Sequence, residues 1–285
     1  MAQPNLLRRR LGLALRDLRK RAGLTLGEAA EAIGVSVPTL SRVELGKGAI
    51  PEDRLEAYLQ PYELPEAKAA EIRRLAALAS SNRRSTLLHQ SSNAEGDDFA
   101  GYLELEEVAT EADIYTAQVV PGLFQTAEYA HALISGGVIW HTARQVRSFV
   151  ELRMERQQVL RRENPLHVRC VVEEAALRRP IGDHDILKRQ LISLAATVDE
   201  LTNVDFRVVP TEAGAHPGVD GQFTMFSFDA GDPVVTVGTM TRIAYMEEDL
   251  DIAPYSAGFT RLREVAWSAE RSRRFLGALI ATDGK

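Results

Sequence analysis

The stretch from Thr25 to Lys47, TLGEAAEAIGVSVPTLSRVELGK, constrains the chain most. Thr25 suits the cap of a helix, and Glu28 three residues later can bond back to it, completing a capping box. Ala29, Ala30 and Ile33 then fall on one inward stripe. Gly34 supplies a left-handed residue that ends a helix without a Cβ penalty. Val35 fills an elbow and Ser36 caps a second helix. Leu40 and Val43 face inward at a spacing of three, while Val37, Pro38, Ser41 and Arg42 point away.

Two short helices across such a turn make a helix-turn-helix, whose second helix enters the major groove of DNA. With LGLALRDLRKRAGLT before it, the stretch resembles the lambda-repressor-like (Xre-type) DNA-binding domain over residues 6–64. The residues that carry the likeness are Leu15, Leu18, Arg19, Gly23, Leu24, Thr25, Ala30, Gly34, Val35, Ser36, Leu40, Ser41, Arg42, Glu44 and Gly46. The resemblance implies an ion pair between Arg19 of the first helix and Glu44 at the end of the recognition helix. It departs at Leu26, where the family often places a phosphate-touching Gln.

Charge divides the chain. Residues 1–84 hold 15 Lys and Arg against 10 Asp and Glu, a net of +5, so the remainder of a chain of net charge −6 carries −11. A basic first segment suits a polyanion and an acidic remainder repels one. At 285 residues and 45% hydrophobic content, one large domain or two can be buried. There is no run of about 18 apolar residues, so no membrane span is expected. MAQPNLLRRR has charge without an apolar run behind it, so no secretory signal is expected. The lone Cys170 rules out an intrachain disulfide and fits a reducing cytoplasm.

In chain order, Leu11, Leu15, Leu18 and Ala22 mark one stripe of a first helix over Leu6–Ala22. Pro51 starts a fourth helix, with Glu52 and Asp53 near its positive end. A fifth runs from about Pro65 to Ala79. Ser80–Asp98, rich in Ser, Asn and charge, reads as a linker. Beyond it the pattern predicts a helix over 99–111, a strand over Ile114–Val119, and a turn, PGLFQT, running into a helix. A long helix over His141–Glu163 and a helix over 184–200 follow. Strands are expected at 166–172, 204–209, 222–228 and 234–238, and helices at 251–266 and 269–281. The expected fold is therefore multidomain: an all-α helix-turn-helix bundle of five helices over 1–79, a linker over 80–98, and an α+β domain over 99–285 with a sheet of about four or five strands.

The second half resembles the C-terminal domain of WhiJ-like regulators of actinomycetes. The likeness rests on Tyr102, Leu105-Glu106, Ala109, PGLFQT at 121–126, Tyr129-Ala130, Arg153, Arg156-Gln157, EAALR at 174–178, Gln190-Leu191 and Gly221-Gln222-Phe223. The aromatic WW-Y stretch usual in the linker of such proteins is missing. The resemblance implies a transcription regulator, often encoded beside a small BldB-like partner protein.

Val37, Pro38, Ser41 and Arg42 are the expected base-contacting positions. A guanidinium can bond bidentately to O6 and N7 of guanine, worth about 1–3 kcal/mol of discrimination. Ser36, Thr39 and Lys47 suit phosphates, which fix register. Leu123, Phe124 and Gln125 of PGLFQT, with Arg153, Arg156, Gln157 and Glu174, form a candidate effector or partner site; the alternative is a packed turn. Catalysis is not expected. Cys170 lies in an apolar strand, the histidines show no metal spacing, and GAHPGVDG lacks a strand-loop-helix phosphate signature. Neither a cofactor nor a metal is expected. The reading is a cytoplasmic, homodimeric, sequence-specific regulator of transcription whose second domain binds a ligand or the small partner. The rival readings are a DNA-tethered enzyme and a helix-turn-helix used for protein docking.

Overall fold

The computed structural model describes residues 6–80, 94–137, 142–229, 232–239 and 242–282. Residues 81–93, the middle of the expected linker, and His141 lie outside them. Contacts divide the chain into two compact units, one of residues up to Val108 with Phe228–Asp232, the other of Ala109–Ser227 and the residues from Pro233 on.

The first unit is helical. Helix α1, Leu6–Arg21, buries Leu7, Leu11, Leu15 and Leu18, a spacing of four, four and three that makes one stripe. Ala22, expected on that stripe, is exposed because the helix ends one residue before it. Helices α2, Leu26–Ile33, and α3, Val37–Glu44, close the core with Ala29, Ala30, Ile33, Leu40 and Val43. A short 3-10 turn over Glu52–Arg54 leads into α4, Leu55–Leu59, and α5 covers Glu66–Ser80.

A sixth helix, α6, covers Ala94–Val108, earlier at both ends than the expected 99–111. It packs with this unit: Val108 lies against the core, and Glu104 accepts a hydrogen bond from the Leu7 backbone N–H at the start of α1. The first turn of α1 has unpaired N–H groups, and a carboxylate from another helix satisfies one of them. Leu103, Leu105 and Glu106 are all buried, so α6 has no single apolar stripe to mark its limits in sequence. Arg10 is also buried, its guanidinium 3.4 Å from the centroid of the Phe228 ring.

The second unit is a six-stranded mixed sheet in the order β3-β2-β1-β4-β5-β6. The strands are β1 Glu111–Thr116, β2 His167–Glu173, β3 Val204–Val209, β4 Phe223–Ser227, β5 Val234–Gly238 and β6 Ile243–Met246. β1, β2 and β3 are parallel; β4, β5 and β6 are antiparallel to their neighbours. The parallel pairs are joined through helices, as parallel crossovers require. α7, Ala127–Ser135, and α8, Ala143–Arg156, lie between β1 and β2. α9, Glu174–Arg178, and α10, His184–Glu200, lie between β2 and β3. α11, Asp249–Val265, and α12, Ala269–Thr282, follow the sheet.

Period two assigns the faces. Tyr115, Val171, Val209, Phe223, Met225 and Val235 form one apolar face under Ile252, Phe259 and Leu262 of α11. Across β1–β2–β3 the register aligns Asp113, Arg169 and Asp205 on that same face. Arg169 bonds the Asp113 carboxylate with both Nε and Nη2, and Arg263 of α11 pairs with Asp205.

The sheet has one strand more than the four or five expected. IAYM at 243–246 is short and half-exposed, and lacks the apolar run that marks the others. The strand expected at 114–119 instead starts at Glu111 and ends at Thr116, whose hydroxyl donates to the Val119 carbonyl and turns the chain. The long helix expected to His141–Glu163 divides at Arg156 into α8 and a 3-10 turn, Gln157–Leu160.

Candidate nucleic-acid interface

Local bonds place α2 and α3. Thr25 Oγ1 accepts from the Glu28 N–H at 3.3 Å and Glu28 Oε2 accepts from the Thr25 N–H at 2.8 Å, a complete capping box. The Thr25 bonds hold the Glu28 carboxyl below its ordinary range. Gly34, at φ 73°, ends α2 in the left-handed region. Ser36 caps α3, accepting from the Thr39 N–H at 3.3 Å, and its hydroxyl pairs with that of Thr39 at 2.7 Å.

On α3, Leu40, Val43 and Glu44 are buried, while Val37, Pro38, Thr39 and Arg42 are exposed and Ser41 is half-exposed. Val37 has 44% of its surface open. The four candidate base-reading side chains, Val37, Pro38, Ser41 and Arg42, thus share one short helix. Ser36 and Thr39 sit at its first turn, and exposed Lys47 follows its end. The bond between the Ser36 and Thr39 hydroxyls uses one hydroxyl proton, and the other remains to donate to a phosphate.

Beneath this surface Arg19 Nε and Nη2 donate to Glu44 Oε1 and Oε2 at 2.6 and 2.8 Å. Arg19 Nη1 also donates to the Leu24 carbonyl at 3.0 Å, so the guanidinium ties α1 to the loop before α2 and to the end of α3. The bond to Glu44 raises the Arg19 pKa above its ordinary value. Tyr62 faces the same pair; burial first, then the Glu44 charge, push its phenol up to about 12.

Two supports carry no sequence signal. Arg54 Nη2 donates to the Ile33 and Gly34 carbonyls at 3.1 and 3.4 Å, satisfying the end of α2 from a different element. An isolated arginine after Asp53 has no pattern that would betray that bond. Gly46, at φ 68°, lets the segment after α3 approach the Arg9 backbone.

In the second unit the structure brings together part of the candidate effector set, as a packed turn. Leu123, Phe124 and Gln125 are buried, and Phe124 meets Phe206 edge-on at 6.3 Å. Gln125 donates to the Val120 carbonyl at 2.7 Å and accepts from Arg153 Nη1 at 2.7 Å. Gln157 donates to the Gly122 and Gln125 carbonyls at 3.2 and 2.7 Å, and the Arg156 guanidinium lies near Gly122. Gln190, outside the expected set, donates to the Phe124 carbonyl at 2.6 Å and accepts from the Thr126 N–H at 2.7 Å. The apolar side chains expected to wall a ligand face the core instead. Glu174 belongs elsewhere, accepting from Arg178 and from the Thr211 N–H.

Cys170 is fully buried, and burial pushes its thiol well above the ordinary range. Among the described residues no helix is long and apolar enough to cross a membrane, and no group of three or more His, Cys, Asp or Glu could hold a metal ion.

Residues 10–72, which contain every candidate DNA-contacting position, match the model of a helix-turn-helix domain. No curated protein matches the chain. Residues 99–278 match the family described as Domain of unknown function (DUF5753). The chain carries a helix-turn-helix DNA-binding domain at its N-terminal end and belongs, through the larger part of its length, to the DUF5753 family.

Proposed function

We propose that the protein is a sequence-specific, Xre-type regulator of transcription that reads operator DNA with α3 in the major groove. The observation that carries this reading is the side-chain distribution on α3. Leu40, Val43 and Glu44 anchor it, leaving Val37, Pro38, Ser41 and Arg42 outward on a helix too short to bury a second face. Arg42 is the principal base reader, by bidentate bonding to guanine. Ser36, Thr39 and Lys47 hold phosphates and set register.

The regulator works as a homodimer in the cytoplasm, on half-sites about 34–36 Å apart that form a pseudo-palindrome. Its WhiJ-like second unit has no catalytic role. It receives a small ligand or a small BldB-like partner protein and adjusts DNA affinity. The acidic balance of that half supports the division, since it disfavours a second DNA contact.

The test is to sequence DNA fragments that co-purify with the full chain and with Arg42→Ala. A shared motif of inverted half-sites, with preference relaxed at one base pair per half-site in the variant, is the expected result. Fragments without any common motif would reject sequence-specific reading.

A further inference from the structure

An open cleft of about 640 Å³ lies beyond the carboxyl end of β3, lined by Pro210, Glu212, Ala213, Val265, Trp267 and Arg271 among others. The volume lies in the range of small-molecule sites.

The walls are fixed by bonds to the sheet. The Trp267 N–H donates to the Val208 carbonyl at 2.9 Å, and the fully buried Ser272 hydroxyl accepts from the Val208 N–H at 3.0 Å. Trp267 meets Phe275 edge-on at 4.9 Å, and the Arg271 guanidinium lies 4.4 Å from the Trp267 ring. The opposite wall is the 3-10 turn Thr211–Ala213. Glu174 holds it through the Thr211 N–H at 3.2 Å, so Glu174 is a positioning residue for Glu212.

In another cleft of the same unit, lined also by Arg147 and Glu151, Glu128 and Arg189 pair with each other at 2.6 Å. Here Glu212 and Arg271 line one cavity and neither makes an ion pair among the described residues. Arg271 is held over the indole, not by a carboxylate. A simple anion entering would meet Glu212, and a simple cation would meet Arg271. A neutral apolar molecule would strip water from both charges without return. A zwitterion satisfies both, and Pro210, Ala213, Val265 and Trp267 offer an apolar seat for its side chain.

We propose that this cleft is the effector site of the second unit and that it binds a free α-amino acid with an apolar side chain. Arg271 takes the carboxylate and Glu212 the ammonium. The inference rests on reading this unit as effector-binding.

Isothermal titration of the full chain with L-phenylalanine and L-leucine tests it. 3-Phenylpropionate, without the ammonium, and 2-phenylethylamine, without the carboxylate, serve as comparators. An amino acid should bind, and each comparator should bind at least about tenfold more weakly. Arg271→Gln and Glu212→Gln should each weaken L-phenylalanine by about tenfold or more. Both positions are exposed, and the comparators read the wild-type protein, so the test does not depend on the variants. No heat with either amino acid up to about 10 mM, or an affinity unmoved by both substitutions, would overturn the assignment. Titration is read without DNA: its failure leaves operator binding by α3 standing, and failure of operator binding leaves the titration intact.

Discussion

Arg19 and Glu44, 25 residues apart in sequence, meet as a bidentate pair with only 13% and 5% of their side chains exposed. The pair joins α1 to the end of the recognition helix. Removing one member strands a charge. Glu44→Gln should cost roughly 2–4 kcal/mol, somewhat below the ~3–5 kcal/mol of a fully buried pair because Arg19 keeps some solvent. Arg19→Met combined with Glu44→Leu should recover much of that loss, which urea unfolding of the three variants measures. A Glu44→Gln protein as stable as wild type would show the pair to be ornamental.

Tyr62 lies against this pair with its hydroxyl buried and, among the described residues, without a hydrogen-bond partner. Tyr62→Phe should therefore change stability at pH 7 by no more than about 1 kcal/mol, since no bond is broken. Alkaline behaviour should differ. The folded phenol titrates at about 12 against an ordinary 10.0, so the unfolded chain loses its proton first. Stability present below pH 10 is then lost as pH rises toward 12. The variant should show a shallower alkaline loss in thermal melts taken across that window.

Glu104 reaches from α6 to the start of α1, with one carboxylate oxygen buried and, among the described residues, unbonded. Burial raises its pKa above the ordinary 4.5, against the smaller opposing effects of the Leu7 N–H and Arg8. A raised carboxylate favours the protonated folded state. The stability it withholds at neutral pH returns as pH falls through its folded value and is complete below 4.5. Glu104→Gln should thus raise the midpoint at pH 7, by roughly 4–8 °C per kcal/mol gained, and the advantage should vanish near pH 4. The position of α6 also predicts that residues 1–108 form a more stable fragment than residues 1–80. Both should keep the sequence preference.

Reading and positioning should separate on α3. Arg42→Ala should relax preference at one base pair per half-site, at a cost of about 1–3 kcal/mol. Lys47→Ala should weaken binding evenly across sequences and reduce the salt slope by about one. Binding to a library of single-base operator variants at several salt concentrations distinguishes the two. Identical profiles for both variants would remove the division of roles.

The capping box, the left-handed Gly34 and the Arg19–Glu44 pair were legible because each depends on residues of distinctive chemistry at fixed spacing, or on a family likeness. Helix α10 and strands β3 and β5 fell on their expected limits because strong apolar periodicity ends in capping or turn residues. The placement of α6 was not legible. It packs through buried Leu103 and Leu105 and a long-range bond from the Leu7 N–H to Glu104, which leave no single local pattern. PGLFQT is open in sequence to two readings, a packed turn or a ligand wall, and the turn is packed. Gln157 and Gln190 satisfy the carbonyls of the turn and Gln125 bonds the Val120 carbonyl just before it, with Leu123 and Phe124 buried. The cleft at Trp267 leaves no mark in the sequence, because Glu212 and Arg271 are distant along the chain and ordinary in isolation.

Gly46 offers a test of how tightly the recognition helix is set. An added Cβ would sit 2.5 Å from Arg9 Cα and 2.8 Å from Arg9 N, both backbone atoms of α1 that cannot move aside alone. The residue also holds φ 68°, a left-handed conformation costing a side-chain-bearing residue about 1–2 kcal/mol. Gly23 holds a comparable φ of 70° with no atom within 4 Å of its would-be Cβ. Gly23→Ala should therefore show the conformational cost alone, about 1–2 kcal/mol. Gly46→Ala adds overpacking of about 1–3 kcal/mol and should displace the end of α3 from α1. The two variants, measured by thermal unfolding and by operator affinity at a temperature where both remain folded, separate strain from steric conflict. Gly46→Ala should lose affinity and Gly23→Ala should keep it. Equal destabilisation with equal affinity would mean that the close approach to Arg9 does not set the recognition helix.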